Sequence, residues 1–280
     1  MPDPVSLLQA QIPSSGQWLP RLGLGTYRSF DIPAKGQAAA ELSAILDDFH
    51  RLGGRLIDSS PMYGQAEATL GSLAKEAGLT DSLFMATKVW TTGLAEGKRQ
   101  MEQSMAKLRR PGLELMQVHN LMDWKTHWPV LRDWKQMGQL RYIGITHYNP
   151  AAFESLAVIL EKGTVDFLQI PYNLAEHSAD RYLLSVAQDH GVAVIANEPF
   201  DQGSLFQAVR GKALPAWAGD LGVRTWAQYF LKFILGDPRV QFVIPATGKL
   251  AHWIEFWPAA TGPLPNAEQR ALMLREIQAL

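Results

Sequence analysis

The 280-residue chain contains no cysteine. That excludes disulfides, thiolate metal sites and a cysteine nucleophile, while fitting either redox compartment. Charge of one sign is also missing: 26 Lys+Arg stand against 27 Asp+Glu. With no basic run and no acidic tail, nucleic acid is not an expected partner. No uninterrupted apolar run approaches the roughly 18 residues a membrane span needs. Met1 to Ala10 has no basic region followed by an apolar core, so the sequence as given carries no export signal and a cytoplasmic location is expected. There is no Gly-x-Ser-x-Gly, which argues against an α/β-hydrolase. No His/Asp ligand cluster appears, which argues against a metal-dependent barrel lyase.

What the chain does have is alternation. Leu42, Ile45, Leu46 and Phe49 form a one-sided apolar stripe, the mark of a helix, and Gly53-Gly54 end it. A strand ending at Asp58 follows. Then come a helix over 66–76, a strand ending at Lys88, a helix over 94–108 and a strand ending at His119. The pattern continues with a helix over 128–137, a strand over 141–146 and a helix opened by Pro150. Next are a strand over 166–170, a helix over 180–190, a strand over 192–196 and a loop to about Gly219. A buried helix over 225–235, a strand over 240–244 and a last helix over 266–277 close the chain. Residues 1–20 read as irregular or as a short hairpin. Strands apolar on both faces imply a parallel sheet covered by helices. Eight units point to a single-domain (β/α)8 barrel over residues 1–280, with the active site at the C-terminal rim. The runner-up is a doubly wound open sheet. Gly23-Leu24-Gly25 begins a Gly-x-Gly, but Arg28 stands where a third glycine is needed, so no Rossmann fingerprint is present.

In such a barrel Asp58, Lys88 and His119 converge on one rim, with Tyr63 on the loop after Asp58. A phenol normally ionises near pH 10. A neighbouring Lys88 ammonium is expected to lower that value, and Asp58 to hold Lys88 charged and oriented. His119 is placed to donate a hydrogen bond to a substrate oxygen. This set suits carbonyl reduction, with Tyr63 protonating the oxygen. None of the four side chains can donate a hydride, so a cofactor is required.

At these residues the chain resembles the aldo-keto reductase superfamily. Gly54-Arg55-Leu56-Ile57-Asp58-Ser59-Ser60-Pro61-Met62-Tyr63-Gly64 matches its Gly-x-Arg-x-x-Asp-Ser-Ser-x-x-Tyr-Gly motif, and Lys88 and His119-Asn120 fall at family-like spacing. The resemblance covers about residues 22–265 and points to a bacterial branch. It implies NADPH, or less often NADH, as cofactor. It also implies Tyr63 as general acid, tuned by Lys88 and Asp58, with His119 orienting the carbonyl. Gly25-Thr26-Tyr27 resembles the loop near the nicotinamide. Thr146-His147 stands where Ser-Asn usually binds the carboxamide, and Gln169 matches the carboxamide glutamine. Asn197-Glu198-Pro199-Phe200 replaces aromatic-Ser-Pro-Leu, so Phe200, Tyr27 and Tyr172 are the candidates to cover the ring. Pro245, Ala246, Thr247 and Lys249 resemble the segment that holds the adenosine phosphate. His252 replaces a common arginine there, and Phe256 replaces the asparagine that often follows the family's glutamate, here Glu255.

A small-molecule carbonyl substrate is expected, bound by a monomer or weak homo-oligomer. Trp90, Met122, Trp124, Trp128 and Trp217 are candidate pocket walls, and Asp123 and Glu198 candidate polar selectors. The alternative is a cofactor-binding redox sensor with only residual turnover.

Overall fold

The computed structural model describes residues 7–280; the segment before Leu7, part of the expected irregular or hairpin start, lies outside the described residues. Gln9–Gln11 and Trp18–Pro20 pair antiparallel as the expected hairpin. Eight parallel strands follow: β1 Leu24–Gly25, β2 Leu56–Asp58, β3 Phe84–Val89, β4 Leu113–His119, β5 Leu140–Thr146, β6 Phe167–Pro171, β7 Ala193–Asn197 and β8 Phe242–Val243. They pair in sequence order, and bridges from Leu22 to Val243 and from Gly25 to Ala246 join the first strand to the last. The architecture is the (β/α)8 barrel, not the open sheet.

Successive side chains of a strand point to opposite faces. One set of alternate residues, among them Ile57, Met85, Met116, Val118, Ile143, Ile145, Leu168 and Val194, packs outward on the helices. The other set fills the barrel. At its lower end this set is apolar: Leu56, Phe84, Leu115, Tyr142, Phe167, Ile195 and Phe242 form one cluster with Ile12 and Leu19 of the hairpin, which plugs the N-terminal mouth. Two to four residues further along the same strands it turns polar. Asp58, Lys88, Gln117, His119, Thr146 and Gln169 are all buried there. The register pairs Lys88 with Gln117, His119 with Thr146 and Thr146 with Gln169, so neighbouring strands deliver these groups at nearly one level.

The helix Gln37–Arg51 buries Leu42, Ile45, Leu46 and Phe49, as its stripe requires. Gly53 then takes φ +97°, and a Cβ on Gly54 would sit 2.3 Å from the Phe49 ring, so both positions need glycine. The helix Trp226–Leu235 is buried on every side from Ala227 onward, with Thr225 accepting from the Gln228 N–H as its cap.

Four boundaries differ from the sequence reading. The helix expected from Trp128 starts at Trp124, because the Asp123 carbonyl accepts from the Thr126 and His127 N–H groups and Pro129 is carried inside. The helix expected from Asp180 starts at Leu183, because Asp180 is held by Tyr172 and Arg239 in an ionic cluster with Asp237 and Arg270. The last strand is only two residues long. The loop after Asn197 contains short helices at Asp201–Gly203, Ser204–Ala208 and Ala216–Leu221. Among the described residues no helix is long and apolar enough to cross a membrane.

Candidate functional site at the barrel rim

Lys88 ends the inward row of β3 with no solvent exposure, and its Nζ donates to Asp58 Oδ2 at 2.6 Å and to the Ser59 carbonyl at 2.7 Å. The other Asp58 oxygen accepts from Gln169 Nε2 at 2.9 Å and Gln117 Nε2 at 3.3 Å. Every polar atom of this buried pair therefore has a partner, which a buried ion pair needs in order to persist. A second buried carboxylate, Glu67, lies behind it and accepts from Thr87 Oγ1 at 2.6 Å.

Tyr63 lies over this pair, with Lys88 Nζ 5.2 Å from its ring centroid. Its ring is 5.0 Å from that of Tyr27 and meets His119 edge-on at 6.2 Å. The expectation of a Lys88-acidified phenol is corrected here. Burial pushes the Tyr63 hydroxyl well above the usual phenol range, and the charge of Asp58 pushes the same way. Burial also pulls the Lys88 ammonium below its ordinary range, against the opposing attraction of Asp58. His119 is pulled down to about 3 by burial, with Lys88 and then His147 adding to the effect, so its imidazole is neutral near pH 7.

Asp58, Tyr63 and His119 share a cavity of about 680 Å³ at the C-terminal end of the barrel. Of the residues singled out in the sequence, it is lined by Gly25, Thr26, Tyr27, Asp58, Tyr63, Trp90, His119, Thr146, Gln169, Asn197, Glu198, Pro199, Phe200 and Ala246. Lys88 is behind this wall, beneath Tyr63. Others are elsewhere. His147 is off the cavity wall: it stacks on Tyr148 at 5.6 Å, and its Nδ1 accepts from the Asn149 N–H. Tyr172 is fully buried and stacks on Phe233, so it cannot cover a ring bound in the cavity. Pro245, Thr247, Lys249, His252 and Glu255 lie beyond the cavity wall. Thr247 Oγ1 receives the Lys249 N–H at 3.1 Å and lies 3.4 Å from His252 Nδ1. Met122, Trp124, Trp128 and Trp217 do not line the cavity either; Trp128 is core, and Trp217 donates to Glu276. Asp123 is committed to the Gly93 N–H and Thr126, which hold its carboxyl below the usual range. Glu198 does face the cavity, with burial raising its carboxyl.

Several lining residues were not singled out as site residues: Arg28, Met62, Asn120, Tyr148, Gln202 and Phe206. Ser60 and Gln117, which touch His119 and Asp58, were missed as well. Gln117 was findable, since it lies two residues before His119 on the same inward face. Phe206 comes from a loop helix and had no periodic signal.

The chain is thus a parallel (β/α)8 barrel whose rim cavity is lined by a carboxylate, a phenol and a neutral imidazole, with a buried lysine behind the carboxylate. The aldo/keto reductase family model matches residues 21–270, and the chain belongs to that family. An aldo-keto reductase of Mycolicibacterium vanbaalenii is 28% identical over 225 residues, covering 78% of this chain and 75% of its own length. Aldo-keto reductase YhdN of Bacillus subtilis is 26% identical over 62% of this chain, which spans 56% of that relative's length. Among solved structures, an aldo/keto reductase from Klebsiella pneumoniae in complex with NADP and acetate superposes with a TM-score of 0.77 at 23% identity, over 94% of this chain and 93% of its own. The thermostable aldo-keto reductase Tm1743, in complex with the inhibitor epalrestat, gives 0.79 at 23% identity over 96% and 99%. At these identities the structures bear on the fold alone.

Proposed function

We propose that this chain reduces the carbonyl of a small aldehyde or ketone to an alcohol with a nicotinamide dinucleotide, NADPH in preference to NADH. The observation that carries the reading is the convergence of Tyr63, Asp58 and neutral His119 on the rim cavity, with Lys88 paired to Asp58 just behind the wall.

The cavity residues fit such a cofactor. Asn197 lines the cavity, and its Oδ1 is buried without a partner, an acceptor available to a carboxamide N–H after a small rearrangement. Gly25 also lines the cavity, and a Cβ there would crowd the Ile244 carbonyl at 3.0 Å, so the close approach of the first and last strands at the wall favours glycine. Thr26, Tyr27, Thr146, Gln169, Pro199 and Phe200 would hold the nicotinamide half, and Ala246, Thr247, Lys249 and His252 the phosphate end of the adenosine. When bound, the reduced nicotinamide supplies the hydride.

The chain's own groups do the rest. Tyr63 is a neutral acid in the resting site and gives its proton to the carbonyl oxygen as that oxygen gains negative charge. Lys88, beneath the ring, stabilises the phenolate that remains, and Asp58 keeps Lys88 in place. His119 donates a hydrogen bond to the same oxygen and holds the carbonyl in line. The aromatic wall of Tyr27, Trp90, Phe200 and Phe206 favours an apolar substituent.

Tyr63→Phe tests this reading. Turnover on a carbonyl panel falls by about 10²–10⁴-fold, the usual weight of general acid catalysis, while cofactor binding followed by tryptophan fluorescence stays near wild type. Unchanged turnover would sink the tyrosine mechanism.

A further inference from the structure

We propose that Ser60 is a positioning residue that fixes the tautomer of His119, with Nδ1 as acceptor and Nε2–H as the donor turned to the cavity. This rests on the reading of His119 as the group that contacts the substrate oxygen.

Proton accounting carries the assignment. Ser60 has no solvent exposure, and its Oγ lies 3.1 Å from His119 Nδ1. The same Oγ already accepts the Met62 N–H at 3.3 Å. A serine hydroxyl has one proton to give. If His119 carried its proton on Nδ1, Ser60 would receive two donors, and its own O–H would be buried with nothing to bond. If His119 carries it on Nε2, Ser60 gives its proton to Nδ1 and every group is satisfied. Leaving a buried donor unmet is the costly alternative. Nε2 is then the ring's remaining polar atom, and His119 lines the cavity.

The groups facing the ring agree. Tyr63 meets it edge-on, Trp90 is tilted against it at 6.4 Å, and its charged neighbour Lys88 disfavours a second proton. Among the described residues no carboxylate bonds to the ring, so Ser60 alone selects the nitrogen. Ser60 also fixes the phenol, because its carbonyl accepts the Tyr63 N–H at 3.0 Å. One residue thus sets both groups that would touch the carbonyl oxygen, the imidazole through its hydroxyl and the phenol through its backbone. The wrong tautomer would turn a lone pair towards that oxygen and repel the charge it gains. The penalty therefore grows in the transition state and falls on kcat more than on KM.

The experiment is a long-range ¹H–¹⁵N spectrum of the full chain labelled with ¹⁵N-histidine near pH 7.5, with His119 assigned by its loss in His119→Gln. Wild type is expected to show an unprotonated Nδ1 and a protonated Nε2. Ser60→Ala is expected to shift the tautomer ratio by about tenfold, the scale of one neutral hydrogen bond, and to lower kcat by a similar factor with a smaller change in KM. Ser60→Thr, which keeps the hydroxyl, restores the wild-type ratio. Ser59→Ala, whose hydroxyl bonds Thr26 and not His119, leaves the ratio unchanged and controls for local loosening. A wild-type His119 protonated on Nδ1, or a ratio indifferent to Ser60→Ala, overturns the assignment. A ratio that moves as expected in a protein that reduces no carbonyl supports the role of Ser60 and removes the reductase reading instead.

Discussion

Lys88→Met should be among the most damaging single substitutions in the barrel. Its ammonium and the Asp58 carboxylate are both buried and 2.6 Å apart. Once Lys88 is gone, Asp58 keeps the Gln169 and Gln117 amides on Oδ1 but loses the partner of Oδ2. A buried charge stripped of its counter-ion costs about 3–5 kcal/mol. For a chain of this length a loss of 1 kcal/mol lowers Tm by about 2 °C, so the expected drop is about 6–10 °C. Asp58→Asn is expected to cost a comparable amount, because the buried Lys88 ammonium then loses its paired carboxylate. The double variant Lys88→Met/Asp58→Asn leaves neither charge and should recover much of the loss. A coupling energy above about 2 kcal/mol, outside the usual additivity error, is the signature. Calorimetry and urea titration followed by tryptophan fluorescence supply the four stabilities. If the single variants each cost less than about 1 kcal/mol and their effects simply add, the pair is solvated and the electrostatic account of the site is wrong.

Stability should also fall with acid through His119. Its folded value of about 3 lies below the unfolded value near 6.5. The unfolded chain therefore takes up the proton first. This contribution is complete above pH 6.5 and is lost as pH falls towards 3, by up to about 4–5 kcal/mol. A wild-type minus His119→Gln stability difference that does not change over that window would refute it. Gly71→Ala, inside the helix Ala66–Glu76, gains about 1 kcal/mol of helix propensity, but the new Cβ would stand 2.1 Å from the Lys107 carbonyl. The clash wins and Tm falls; a rise would show that the two helices separate at little cost. Lys249→Ala should weaken NADPH binding by about tenfold, the scale of a charged hydrogen bond, and leave NADH binding unchanged in a fluorescence titration. Equal losses for both cofactors would place Lys249 away from any 2′-phosphate.

Much of the barrel could be read from strand period and helix stripe, because both follow from burial alone. The inward row of Asp58, Lys88 and His119 was legible for the same reason: a polar residue closing an apolar strand has few places to go. What stayed hidden depends on loop backbone, local side-chain bonds and a few contacts between distant segments. Trp124 and Trp217 were reasonable pocket walls by composition, yet the early start of the helix at Trp124 and the bond from Trp217 to Glu276 take both elsewhere. Phe206 reaches the cavity through a turn in which Asp201 and Gln202 take positive φ, a backbone choice that no hydrophobic pattern records. The removal of His147 from the wall likewise follows from its stack on Tyr148 and its local bond to the Asn149 N–H.

The proposed acid chemistry turns on the reversal of the expected acidified phenol. A phenol acidified by Lys88 would be partly ionised before any carbonyl arrived and would then have no proton to give. Burial and Asp58 act the other way and keep Tyr63 protonated. A proton donor needs a large difference in basicity when the substrate oxygen becomes an alkoxide, and a neutral phenol over a buried ammonium provides it. Lys88 then acts on the product of the transfer, the phenolate, rather than on the resting acid, so its effect is concentrated in the transition state. The two accounts differ in a pH profile. An acidified phenol would make carbonyl reduction decline with rising pH through the neutral range, whereas a buried neutral phenol keeps the rate constant there and lets it decline only in strong alkali. A decline near pH 7 that disappears in Tyr63→Phe, measured on the residual rate, would restore the acidified phenol and show that the site closes more tightly on Lys88 when loaded.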